Sequence, residues 1–229
     1  MHTHLSNYVR IVLWTLPLAG LLFAIGILMR GPSIDPAAAP DRFAQAVTAA
    51  NATTAWLLIF AGMNLELPGL WALYATINER HSTRAGFWGF ILSLLGISLI
   101  LPLIGFMALA APTVGQLYLQ GQQEVRAVAV AMTAGNTALI VSALSGLAYT
   151  VGSMLLAVVL WRQQLLPRPL AVAYALQAPL LAIAALFSVT AELAGALLLV
   201  LSSGWIAWQS WQRRLADVSA EVAAVARQS

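Results

Sequence analysis

The chain has 229 residues, of which 61% are hydrophobic and 8% charged, with a net charge of +3 and a mean hydropathy of +0.84. Soluble domains run nearer half apolar and a quarter charged, so the composition excludes an ordinary soluble protein and points to a polytopic membrane protein. The isoelectric point near 9.8 rests on few charges, so it reads as a topology bias and not as a nucleic-acid footprint.

A spanning helix needs about 20 mostly apolar residues. The first such stretch is 11–29, interrupted by Pro17, which membrane helices tolerate better than soluble ones. A cleaved signal peptide is the alternative there, with Arg10 before the stretch and Ala37-Ala38-Ala39 as a cleavage site. The apolar stretch is long and the site lies well beyond its end, which favours a true helix. The loop 31–51 opens with turn chemistry, and Asp41 is placed to cap a short helix entering the second span, 52–77. The third span is 85–111. The loop 112–136 carries Gly115, Gly121 and then a helical run from Gln122 into the fourth span, 137–161.

The stretch 169–208 is apolar almost throughout. As one helix it would reach roughly 60 Å, about twice the bilayer core, so it must fold back. The polar break at 188–192 places the turn, giving a fifth span over 169–187 and a sixth over 191–209. Thr190 then caps the sixth helix, and Glu192 sits in its first turn, where the helix dipole favours an acid. The tail 210–229 is amphipathic. Trp208, Trp211, Leu215, Val218, Val222 and Val225 recur at steps of three and four, with Arg213, Arg214, Asp217 and Glu221 on the other face. It reads as the sixth helix running on through an aromatic belt anchored by Trp208 and Trp211. A docking helix for a second copy or a partner subunit is the sharper alternative.

The arginines test this topology. With six spans, one side holds Arg10, Arg80, Arg84, Arg162, Arg168, Arg213, Arg214 and Arg227, and the other only Arg30, Arg42 and Arg126. The positive-inside rule then puts both termini in the cytoplasm. The expected fold is an all-α membrane protein of six transmembrane helices, N-in and C-in, in a bacterial inner membrane. Short amphipathic outer helices precede spans 2 and 4, and an amphipathic helix follows span 6. The two outer entries look alike: 44–51 and 129–136 share five of eight residues, each closing on an asparagine, Asn51 and Asn136. That suggests a two-helix repeat, although alanine-rich segments also match by chance.

The counts remove much chemistry. Without cysteine there are no disulfides, iron–sulfur clusters or thiol nucleophiles. All eleven basic residues are arginine, so no lysine is present for a retinal or pyridoxal Schiff base. The histidines, His2, His4 and His81, lie outside the apolar stretches, so a membrane-embedded bis-histidine haem is excluded. His81, beside Arg80 and Arg84, reads as a solvated loop residue. No phosphate-binding loop, zinc-hydrolase, serine-elbow or paired-carboxylate motif occurs. No cofactor, metal or nucleic-acid partner is implied; the evident partner is the lipid bilayer.

Glu66 is the exception to the loop-bound charges. It lies near the middle of the second span, in Gly62-Met63-Asn64-Leu65-Glu66-Leu67-Pro68-Gly69. An acid at that depth costs several kcal/mol unless protonated, paired or wet, so it marks a functional candidate. Gly62 and Gly69 share its face and admit a close neighbour. Pro68 has no amide hydrogen and frees the carbonyl of Asn64, as in the broken helices of transporters. The bland alternative is a protonated glutamic acid that bonds a hydroxyl and holds the bundle together. The fourth span offers a hydroxyl stripe, Ser142, Ser145, Tyr149 and Ser153, with Tyr149 the best-placed partner. No arginine is well placed to neutralise Glu66 inside the membrane. Gly89, Ser93 and Gly96 give the third span a small-residue packing face.

The end of the fourth span reads Leu155-Leu156-Ala157-Val158-Val159-Leu160-Trp161-Arg162-Gln163-Gln164-Leu165-Leu166-Pro167-Arg168-Pro169-Leu170-Ala171. It resembles a family of bacterial six-helix membrane proteins known only as a domain of unknown function. In that family an arginine ends a helix, a few polar or small residues follow, and Pro-Arg opens the next apolar helix. Arg162, Pro167, Arg168 and Leu170 match the pattern, and Pro169 departs from it, since an aromatic is more usual there. The resemblance implies the six-helix fold and a membrane location, and supplies no activity and no catalytic residues. Physically, Arg162 and Arg168 flank a short inner turn and face anionic headgroups.

Three functional classes follow. The first is an accessory, structural or regulatory membrane protein without its own catalysis. The second is a small-solute or proton-coupled transporter using Glu66. The third is a membrane enzyme acting on lipid or quinone, for which no convergent cluster of arginine and acid is present.

Overall fold

The computed structural model describes residues 7–182 and 188–226, with side chains as far as Gln212. Among the described residues every regular element is helical. Five stretches are long and apolar enough to cross a membrane: Asn7–Arg30, Ala52–Arg80, Arg84–Leu109, Gln123–Arg162 and Val189–Gln212.

The first stretch is two helices, α1 (Asn7–Leu13) and α2 (Thr15–Arg30), joined at Trp14. Pro17 cannot donate to the carbonyl of Leu13, and the chain tightens there. Trp14 N–H donates to Ile11 O at 3.1 Å and Thr15 Oγ1 to Val12 O at 2.8 Å. The helix therefore starts before the predicted residue 11, and Arg10 is a buried helical residue instead of a loop residue. Next come α3 (Pro40–Thr48) and α4 (Ala52–Arg80), which runs on through Pro68. Thr83 caps α5 (Arg84–Leu109) by accepting from Gly86 N–H at 3.0 Å.

The predicted loop 112–136 is largely helical: α6 (Ala111–Leu119), a 3-10 turn (Gln123–Val125) and α7 (Arg126–Thr133) precede α8 (Asn136–Arg162). A β-carbon on Gly115 would lie 2.6 Å from Val47 Cγ2, so glycine is what lets α6 lie on α3. Pro112 opens α6 from its first turn, where a missing amide hydrogen costs nothing.

α9 (Arg168–Ala182) and α10 (Val189–Ala226) form an antiparallel pair, with Gly195 against the backbone of Gln177 and Leu181. The last part of the predicted fifth span, 183–187, lies outside the described residues. α10 begins at Val189, and its cap is Ser188 and not Thr190: Ser188 Oγ accepts from Ala191 N–H at 3.3 Å. Asp41 likewise does not cap α3, whose preceding residue is Ala39; it lies in the first turn and accepts from Tyr118 Oη at 3.0 Å. α10 is one helix of 38 residues, so the expected tail helix continues the one that begins at Val189. Trp208 is exposed and Trp211 half-buried on it, and the side chains beyond Gln212 lie outside the description.

The long helices close into a ring in chain order. α4 packs on α2 and α5, α8 on α5 and α9, and α10 on α9 and back on α2. Small residues set the tightest seam. A β-carbon on Gly96 would lie 2.6 Å from Tyr149 N, and one on Gly152 would lie 2.5 Å from Ser93 N. One end of the ring, the tail end, carries α1, the turns 81–83 and 163–167 and the extension of α10. The opposite end carries α3, α6 and α7. The two similar entries into α4 and α8 share a local device: Thr48 Oγ1 donates to Ala44 O and Thr133 Oγ1 to Ala129 O, each at 2.8 Å.

Candidate functional site

Glu66 points into the ring and is 2% exposed. Its Oε1 lies 2.5 Å from Tyr149 Oη, across the bundle on α8. Tyr149 Oη also lies 3.1 Å from Gln177 Oε1 on α9, and Gln177 Nε2 lies 3.4 Å from Ser153 Oγ back on α8. The chain of contacts joins three helices, although Glu66 and Tyr149 sit on helices that are not neighbours in chain order. Gln177 and Ser153 are fully buried, and Tyr174, one turn before Gln177, is buried with them.

Tyr149 has one hydroxyl proton for two oxygen neighbours, so the proton count restricts the states of the site. In one closed arrangement a protonated Glu66 donates to Tyr149, which donates to Gln177 Oε1, whose amide donates to Ser153. In the other, an ionised Glu66 accepts from Tyr149. The Gln177 amide is then turned so that its N–H faces Tyr149, and Ser153 donates to its oxygen. The two arrangements run in opposite directions and differ by one proton on Glu66.

The predicted residues divide. Tyr149 is the partner of Glu66 and Ser153 ends the chain. Ser145 instead donates to Gly96 O on α5 at 2.7 Å, joining the tight seam. Ser142 is only half-buried. Asn64 is exposed on another side of α4, where its Nδ2 donates to Phe60 O at 2.8 Å, so it does not contribute to the site. Gln177 was missed. Its signal was available: an amide in an apolar run, with Tyr174 three residues earlier on the same helix face.

Two further polar clusters sit at the ends. At the end opposite the tail, Arg30 Nη2 and Glu192 Oε2 form an ion pair at 2.5 Å, each side chain 10% exposed. The Arg30 guanidinium also lies 5.0 Å from the Trp56 ring centre. The pair joins the last turn of α2 to the first turn of α10. At the tail end, Arg80 donates to Gln163 O, and Gln163 Nε2 donates to His81 O at 2.9 Å, which ties the two turns together. Among the described residues no group of three or more metal-ligating side chains occurs.

No family model, curated protein or solved structure matches the chain. The fold and its apolar helices define the class: a helical, multi-pass membrane protein with one buried polar chain across its middle.

Proposed function

We propose that this is a six-span inner-membrane protein with both termini in the cytoplasm, acting as a structural or regulatory partner of other membrane proteins without chemistry of its own. The arginine sorting supports the orientation: Arg10, Arg80, Arg84, Arg162 and Arg168 gather at the tail end, against Arg30, Arg42 and Arg126 at the other.

The observation that carries the functional reading is the use made of Glu66. Its carboxyl is engaged in a buried bond that pins α4 to α8 and α9. Two surface clefts lie at opposite ends of the bundle, one around Trp161 and Arg168 and one around Phe43 and Tyr118, and Glu66 lines neither. Outward, α8 exposes Ile140, Leu144, Leu147, Val151, Met154 and Val158 at alternating steps of four and three. That is the seam spacing of paired helices, and it suits a partner helix in the membrane. The test is photo-crosslinking from Leu147 and Met154 in native membranes. Adducts to one defined protein are expected, and adducts to lipid alone overturn the partner reading.

A second reading, proton-coupled transport, is favoured by the two closed proton arrangements of the Glu66 chain. Reconstituted vesicles with an internal pH dye separate the two. The partner reading expects no flux above empty vesicles. Flux in the wild-type protein that Glu66→Gln abolishes would establish transport instead.

A further inference from the structure

The cleft at the tail end is a built site that the Glu66 chain does not use. It has a volume of about 540 Å³, within the range of small-ligand sites, and is lined by Trp161, Arg162, Gln164, Arg168, Trp205 and Gln209 among others. We propose that it binds the headgroup of an anionic glycerophospholipid, with Arg162 and Arg168 on the phosphodiester oxygens.

The local chain explains why the cleft has a defined shape. α8 ends in a tight turn in which Gln163 N–H bonds Val159 O, and Leu165 and Leu166 N–H both bond Leu160 O. Gln164 turns the corner at φ 55°, a left-handed conformation usually left to glycine, and its side chain is thereby turned to the cleft wall. Leu165 and Leu166 are buried and hold the turn against the bundle. From α10, the Gln209 amide joins both sides once its oxygen and nitrogen are oriented to suit their neighbours: the nitrogen then donates to Leu165 O at 3.1 Å, and the oxygen accepts from Trp205 Nε1 at 2.9 Å. Arg168 lies 5.4 Å from the Trp161 ring centre, which orients its guanidinium.

The chemistry of the lining selects an anion. Among the described residues two arginines and no acid line the cleft, and neither arginine forms an ion pair. Guanidinium groups match phosphate oxygens in pairs. Lipid is favoured over a free anion by the surroundings. Trp161 and Trp205 are 44% and 42% exposed, as interfacial indoles are. Just beyond the cleft, toward the middle of the helices, Val158, Val172 and Leu201 are exposed and apolar, which suits acyl chains. Basic pockets between helices at the cytoplasmic surface are where anionic headgroups bind.

The test uses the full chain in neutral detergent, with phosphatidylglycerol and phosphatidylcholine of identical acyl chains competing in native mass spectrometry. The wild-type protein should retain phosphatidylglycerol over phosphatidylcholine by about thirtyfold, on the basis of roughly 1 kcal/mol for each of the two arginines. The double variant Arg162→Gln/Arg168→Gln should fall to near parity, and Arg126→Gln, at the other end, should not change. An undiminished preference in the double variant overturns the site. Loss of the phosphatidylglycerol adduct on adding inorganic phosphate alone, at low millimolar concentration, overturns the lipid source in favour of a free anion. A second arm keeps the protein's arginines intact: phosphatidylglycerol with brominated chains should quench wild-type fluorescence more than that of Trp161→Phe/Trp205→Phe. Equal fractional quenching would count against the site.

Discussion

Tyr149 on α8 meets Glu66 on α4 at 2.5 Å across the interior of the ring, and Gln177 on α9 holds the other side of the same hydroxyl. One hydroxyl thus serves two partners from two other helices. Tyr149→Phe removes it and leaves both partners buried without it, which costs about 1–3 kcal/mol. Glu66→Gln keeps a polar group of the same length that can still donate to Tyr149, and is expected to cost well under half as much. Thermal melting in mild detergent checks both. A Glu66→Leu/Tyr149→Phe double-mutant cycle should give a coupling of about 0.6–1.7 kcal/mol, the range for hydrogen bonds between membrane helices. A coupling of zero would mean that the contact does not hold the bundle.

Gly96 supports this contact without touching Glu66. Its missing β-carbon would lie 2.6 Å from both Tyr149 N and Cβ, and 2.8 Å from Ser145 O, so the obstacle is backbone, which cannot swing aside. Gly96→Ala should therefore push α8 away from α5 and cost about 1–3 kcal/mol. Gly105→Ala is the control on the same helix. Its added carbon would meet only Phe60 at 3.5 Å, an ordinary contact, and its melting temperature should hold or rise slightly. If both variants melt alike, the α5–α8 seam is looser than its geometry implies.

Spans and charges were legible because they are statements about composition. Apolar length sets where a helix can cross, and the scarcity of charge makes Glu66 conspicuous in the chain. Tyr149 followed from the hydroxyl spacing on α8. What was not legible depended on which helices face one another. Ser145 and Tyr149 share a stripe, yet one turns to α5 and the other to the interior, because α8 lies between α5 and α9 in the ring. Asn64, two residues from Glu66, falls on another helix face and bonds its own backbone. Gln177 went unremarked because a single amide barely lowers the hydropathy of a long apolar run. Cap choice at the start of α10 was a local ambiguity, since Ser188 and Thr190 both carry suitable hydroxyls.

Arg30 and Glu192 form an ion pair that links α2 to the first turn of α10. Both side chains are largely shielded, so removing one leaves the other buried and unpaired. Glu192→Gln and Arg30→Gln should each destabilise by on the order of 3 kcal/mol. The double variant should recover part of that loss, because no uncompensated charge remains. Melting of the three variants decides the matter. Single-variant losses that simply add in the double variant would mean that the two charges act independently.

Tyr118 and Asp41 join α6 to α3 at 3.0 Å, outside the spanning helices. The hydrogen bond to Asp41 is the main reason that the Tyr118 hydroxyl is held above the ordinary tyrosine value near 10, with partial desolvation and the Asp41 charge adding to it and the Arg126 charge opposing it. The sign follows from the proton: the neutral hydroxyl donates, so the contact is intact below the ordinary tyrosine range and is lost as pH rises through the raised value. The difference in tyrosinate absorbance between the wild-type protein and Tyr118→Phe isolates this group from the other four tyrosines. Its midpoint should fall when Asp41 becomes Asn, since both the acceptor charge and the strong bond weaken. It should rise further when Arg126 becomes Gln, since a favourable charge for the phenolate is removed. A midpoint unmoved by Asp41→Asn would mean that the α3–α6 contact does not persist in solution, and these two short helices would then be held chiefly by the close approach of Gly115 to Val47.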